Sequence, residues 1–108
     1  MVDTVKSTNG GLRNISVSVD YSDMMHRPDY SAIGARLTKI RTGFSDLSQK
    51  AWAEKNGFSV TQYNNWEKGT RRISVDAAEE LVERYSVTLD YIFRGNEAGL
   101  SEKVRNSL

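Results

Sequence analysis

From residue 48 onward the sequence is punctuated by helix starts and stops at short intervals. Ser48 and Gly57, Ser59 and Gly69, and Thr88 and Gly95 bracket three segments, and Ser74 opens one more. A serine or threonine hydroxyl accepts a hydrogen bond from the first turn of a helix, and glycine takes the left-handed conformation that ends one. A chain marked this way folds as a packing of short helices. The apolar spacing agrees. Tyr30, Ile33, Leu37 and Ile40 predict a first helix, with Asp29 or Ser31 as its cap and Gly43 as its stop. The second segment buries Ala51, Trp52 or both, with Ala53 against a close neighbour. The third sets Tyr63 and Trp66 inward, and Ser59-Val60-Thr61-Gln62 reads as a capping box. The fourth sets Val75, Ala78, Leu81, Val82 and Tyr85 inward, and the fifth Leu89, Ile92 and Phe93. From Ser101 a further turn or two is expected, with Val104 and Leu108 on one side.

Residues 1–28 differ in character, being rich in Ser, Asn, Asp, Gly and Thr. Within them "ISVSVDY" alternates Ile15, Val17, Val19 and Tyr21 against Ser16, Ser18 and Asp20, the period of a half-buried strand. Asn9-Gly10 offers a hairpin turn before it, with "VDTVK" a weak partner. The expected organisation is an N-terminal extension over 1–28, flexible or supplying an inter-chain strand. A helical domain follows over 29–95, and then a tail over 96–108 able to form a short helix. The fold class is all-α, five helices, with one strand at most in the extension. The 108 residues include no cysteine, which removes disulfides and thiolate chemistry. The opening "MVDTVKSTNGG" has no apolar run, so no secretion signal is expected and the protein is placed in the cytoplasm. That also discounts the glycosylation sequon Asn14-Ile15-Ser16. His26 is the sole histidine and lies in a polar segment, so no catalytic residue, metal or cofactor is assigned.

The third helix has an unusual outer face. Exposed helices mostly carry Glu and Lys, but here Val60, Thr61, Gln62, Asn64 and Asn65 lie opposite Tyr63 and Trp66. Charge is distributed to match. Residues 36–72 hold eight basic groups against three acids, a net of +5, and residues 73–102 hold two against seven, a net of −5. A polyanion is attracted to the first stretch and repelled by the second.

Two short helices joined through Gly57, the second starting with polar residues, form a helix-turn-helix arrangement. Residues 33–93 resemble the Cro/lambda-repressor-like helix-turn-helix domain, the XRE family. The resemblance rests on "LSQ" (Leu47, Ser48, Gln49), Ala53, Gly57 and Ser59, then on Tyr63 and Trp66 at usually aliphatic positions and on "EKG" (Glu67, Lys68, Gly69). It closes with "VTLDYIF" at residues 87–93, similar to the family's "VSLDxLL". There are departures. The link between helices one and two is about one residue longer than usual, with Asp46 where glycine is common, and Asp tolerates the left-handed conformation there. Asn56 stands where leucine is usual, which predicts a weaker core contact.

The resemblance implies a DNA-binding transcriptional regulator of bacterial or phage type, a homodimer reading the major groove with its third helix and repressing by occupying a promoter. Base contacts fall on Val60, Thr61, Asn64 and Asn65. Amides can pair with adenine, and Val and Thr can pack on thymine methyls. Phosphate contacts fall on Gln49 and Ser59 at helix N-termini, on Gln62, and on Lys68, Arg71 and Arg72. Arg41 and Glu67 sit where the family places a partly buried ion pair. Two other functions fit the same domain. One is an antitoxin whose residues 1–28 or tail bind a toxin or another regulatory protein. The other is a protein-interaction module that has lost DNA binding, against which the +5 stretch and the amide face both speak.

Overall fold

The computed structural model describes residues 29–108. The expected strand at 15–21, the Asn9-Gly10 turn and His26 lie outside the described residues. Those described form helices α1 (Ser31–Phe44), α2 (Gln49–Lys55), α3 (Val60–Lys68), α4 (Val75–Tyr85), α5 (Leu89–Arg94) and α6 (Glu102–Ser107), with no strand among them. The described residues form an all-α domain.

The hydroxyl caps act where the sequence puts them. Ser48, Ser59, Ser74, Thr88 and Ser101 each precede a helix and accept from the backbone N–H three residues on. In the capping box the serine half is formed, Ser59 Oγ accepting from the Gln62 N–H at 3.2 Å. The start of α1 is different. Tyr30 occupies the cap position without a side-chain bond, and Asp29 accepts from the Ser31 N–H at 2.9 Å. Gly43 does not stop α1. The helix runs on to Phe44, whose ring meets that of Tyr85 at 5.3 Å, and it ends at the extended Ser45.

Asp46 does not take the left-handed conformation either, since Ser86 is the sole non-glycine described residue with positive φ. The longer α1–α2 link is held by side chains instead. Arg41 Nη1 donates to the Leu47 carbonyl at 3.0 Å, and the Leu47 N–H donates to Ser45 Oγ at 3.2 Å.

Leu37 and Ile40 from α1, Trp52 from α2, Tyr63 from α3, Leu81 from α4 and Ile92 from α5 are fully buried together. The stripe on α4 runs through Ala77, Ala78 and Leu81. Val75, expected inward, is 52% exposed, because the first residue of the helix lies ahead of the packed face. Residues beyond 95 join the same core through Leu100 and Val104, and α6 packs on α1.

Asn56 is buried, yet it does not leave the gap that replacing leucine suggests. Its Nδ2 donates to the Trp52 carbonyl at 3.0 Å. Its Oδ1 accepts from Arg84 Nη1 at 3.0 Å and from the Tyr85 hydroxyl at 2.9 Å. A polar knot thus bolts the α2–α3 turn to α4, and it satisfies what burial would otherwise penalise.

The α1–α3 seam is closer still. The Tyr30 N–H donates to the Gly69 carbonyl at 3.0 Å. A Cβ placed on Gly34 would collide with the Glu67 carbonyl and stand 2.7 Å from that of Trp66. Glycine is required there by backbone approach.

Candidate nucleic-acid interface

Helix α3 is anchored by an aromatic cluster on its inner side. Tyr63 and Trp66 are buried, and Phe58 stacks on Tyr63 at 6.0 Å and meets Trp66 edge-on at 5.6 Å. On the outer side Thr61 and Gln62 are exposed, while Val60, Asn64 and Asn65 are half-buried. The outward face is therefore narrower than the sequence predicts. Val60 rests partly on the core. The Asn64 amide oxygen is turned inward, with no donor among the described residues, so as placed it does not offer its acceptor to a base.

Asn65 is tied to the chain that leaves the helix. Its carbonyl accepts from the N–H groups of Gly69, Thr70 and Arg71 at 3.0, 3.1 and 3.3 Å, and its Oδ1 lies 3.3 Å from the Thr70 hydroxyl. The bend that follows brings Arg71 and Arg72 alongside the helix. A shallow cleft is bordered there by Gln62, Asn65, Trp66, Arg71, Arg72 and Ser74. Lys68, Arg71 and Arg72 are all exposed.

Behind this face lies a buried charge cluster. Arg41 meets Glu67 in a two-pronged pair, Nε to Oε2 at 2.8 Å and Nη2 to Oε1 at 3.1 Å. The Glu67 side chain is 2% exposed. It also accepts from the Thr38 hydroxyl at 2.9 Å and from Gln49 Nε2 at 2.7 Å. Burial alone would raise the Glu67 pKa. The hydrogen bonds, led by Arg41, outweigh it and hold the carboxyl below its ordinary range. Burial, then the neighbouring Glu67 carboxylate, pushes the Tyr63 phenol upward. That hydroxyl sits beside the cluster with no hydrogen bond of good geometry.

The structure thus brings together Thr61, Gln62, Asn65, Arg71 and Arg72, and it sets Gln49 apart by engaging its amide with Glu67. Thr38 is a member of the cluster that sequence reasoning missed. Its place three residues before Arg41, on the same helix face, was a usable signal. Thr70 and Phe93, which hold Asn65 and Arg72, carried none. The described residues contain no group of side chains able to hold a metal, and no helix long and apolar enough to cross a membrane.

No curated protein and no solved structure matches the chain. A family model described as helix-turn-helix matches residues 45–92, a span that starts in the α1–α2 link and takes in α2, α3, α4 and most of α5. With its capped α2–α3 pair turning at Gly57 and its polar, basic-flanked α3, this region is similar to the Cro/lambda-repressor-like helix-turn-helix domain, which is found in DNA-binding regulators.

Proposed function

We propose that the protein is a sequence-specific regulator of transcription that inserts α3 into the major groove of double-stranded DNA, acts as a homodimer and represses. One observation carries this reading. Helix α3 is clamped to the core by Tyr63 and Trp66, while its opposite side offers Thr61, Gln62 and Asn65 with exposed Lys68, Arg71 and Arg72 at its end. Small hydroxyl and amide groups suit base edges, and flanking cations suit phosphates. Thr61 and Asn65 are the principal base readers, with Val60 and Asn64 at their margin. Lys68, Arg71, Arg72 and Gln62 hold phosphates, with Ser59 and Gln49 at the helix starts.

The dimer follows from reach. One short helix covers few base pairs, and a second copy doubles the contacts and fixes the half-site spacing. A DNA-binding protein of this kind works inside the cell without a cofactor. Selecting bound sites from a pool of random duplexes tests the proposal. An enriched motif with two-fold symmetry is the expected result. Retention without enrichment would leave α3 with no reading role, and an enriched motif without symmetry would remove the dimer.

A further inference from the structure

Arg72 lies over the ring of Phe93, its guanidinium carbon 4.6 Å from the ring centroid. Phe93 is half-buried against the core near the end of α5, and Arg72 is exposed. The arginine borders two clefts, one on the flank of α3 beside Gln62, Asn65 and Arg71, the other beside Leu89, Asp90 and Phe93. No carboxylate borders the first. In the second, Asp90 is taken up by Arg94 at 3.8 Å and by the Asn96 amide at 2.5 Å. Arg72 makes no ion pair with another described residue, so the ring is what holds it. Stacking uses the flat face of a guanidinium, and all five N–H donors lie in its plane and point from its edge. An arginine on a ring therefore keeps its capacity for a two-pronged bond to an oxyanion.

We infer that Phe93 is a positioning residue for DNA binding. Its ring pins Arg72 beside the α3 flank, so the guanidinium meets a backbone phosphate already ordered. The inference rests on the proposed reading of α3 as the groove-facing helix. Ordering a long side chain opposes binding, and holding it in place beforehand removes that cost.

The experiment measures affinity for a short random-sequence duplex by fluorescence anisotropy at fixed low salt, with helicity and melting recorded for each variant. Phe93→Leu should weaken binding about two- to fivefold, the worth of an exposed cation–π contact. Phe93→Tyr, which keeps the ring face, should restore it. In an Arg72→Gln background Phe93→Leu should change nothing. An unchanged Phe93→Leu variant, or an equal loss in both backgrounds, would overturn the inference while leaving α3 its role. A wild-type protein that does not bind duplex DNA would remove the reading of α3 and this inference with it. A second measurement needs no variant. The Arg72 δ-methylene protons should be shifted upfield by the ring current, and the shift should persist when duplex is added. Its disappearance on binding would show that the ring stores Arg72 away from DNA, which is the opposite role.

Discussion

The Gln49 amide donates to Glu67 Oε1 at 2.7 Å, joining the first residue of α2 to the last turn of α3. The two helices of the motif are thus tied at opposite ends by one bond, and the same carboxylate is tied to α1 through Arg41 and Thr38. Three helices converge on a single buried acid. Engaging one N–H leaves the Gln49 amide a second donor and its oxygen. It can still meet a phosphate, but only in the orientation that Glu67 sets.

Removing that acid should be costly. Breaking a buried pair from one side leaves the other charge stranded, at about 3–5 kcal/mol. Glu67→Ala should lose stability of that order in urea, whereas Glu54→Ala, at an exposed position, should lose little. Because the folded-state pKa of Glu67 is depressed, its contribution is present above the ordinary value of 4.5 and is lost as pH falls through the lower folded value. The melting temperature of wild type should therefore fall more steeply below that pH than that of Glu67→Gln. Parallel pH profiles would show that the pair contributes nothing to acid stability.

Replacing Asn56 by leucine should not stabilise the protein. The part-buried Tyr85 hydroxyl would lose its acceptor, at a cost of about 1–3 kcal/mol where water cannot replace it, while Arg84 Nη1 would keep the Asn56 backbone carbonyl at 3.0 Å. Adding Tyr85→Phe to Asn56→Leu should recover part of the loss. Denaturant midpoints of the single and double variants decide this, and a more stable Asn56→Leu would mean that the polar knot is energetically idle.

Affinity for duplex DNA should fall steeply with salt, with a slope of about −0.9 in log K against log salt for each phosphate neutralised. Arg71→Ala and Lys68→Ala should each reduce the slope by about one per half-site. Slopes equal to that of wild type would place those residues away from the backbone.

Asn65→Ala should keep the fold, since the carbonyl that caps the end of α3 belongs to the backbone and survives the change. Only the weak Oδ1 contact to Thr70 is lost within the protein. Specific binding should weaken by about 1–3 kcal/mol, with preference flattened at one base pair of each half-site. Random-sequence binding should hold. Equal losses on both, with an unchanged selected motif, would make Asn65 a backbone contact.

The parts of this molecule legible from sequence are those decided within a few residues. Ser48, Ser59, Ser74 and Thr88 announce helices because a cap bonds three residues ahead, and the spacing of Tyr63 and Trp66 fixes the buried side of α3. Asn56 looked like a weakness because its partners, Arg84 and Tyr85, arrive from α4. Gly43 looked like a stop because Phe44 gains its packing from Tyr85 on another helix. The narrowing of the α3 face has the same origin, since the Asn64 oxygen and Val60 turn toward neighbours that the local pattern does not reveal. Arg72 was legible as a cation near the helix, but its seat on Phe93 required α5 to be folded back beside it.

Gly34 makes the tilt of α3 a matter of backbone contact. At this point α1 lies against the carbonyls of Trp66 and Glu67 with no room for a methyl group. Those two residues carry the aromatic anchor and the buried acid. An alanine at Gly34 would act as a wedge, levering the end of α3 away from α1 and re-aiming every side chain the helix carries. In a screen for lost DNA binding such a variant would score beside changes on the outer face of α3, although the altered atom lies in the α1–α3 seam. The two kinds of defect separate on a suppressor test. A second change that shrinks a neighbour in the seam can rescue a wedge, but it cannot return a missing amide.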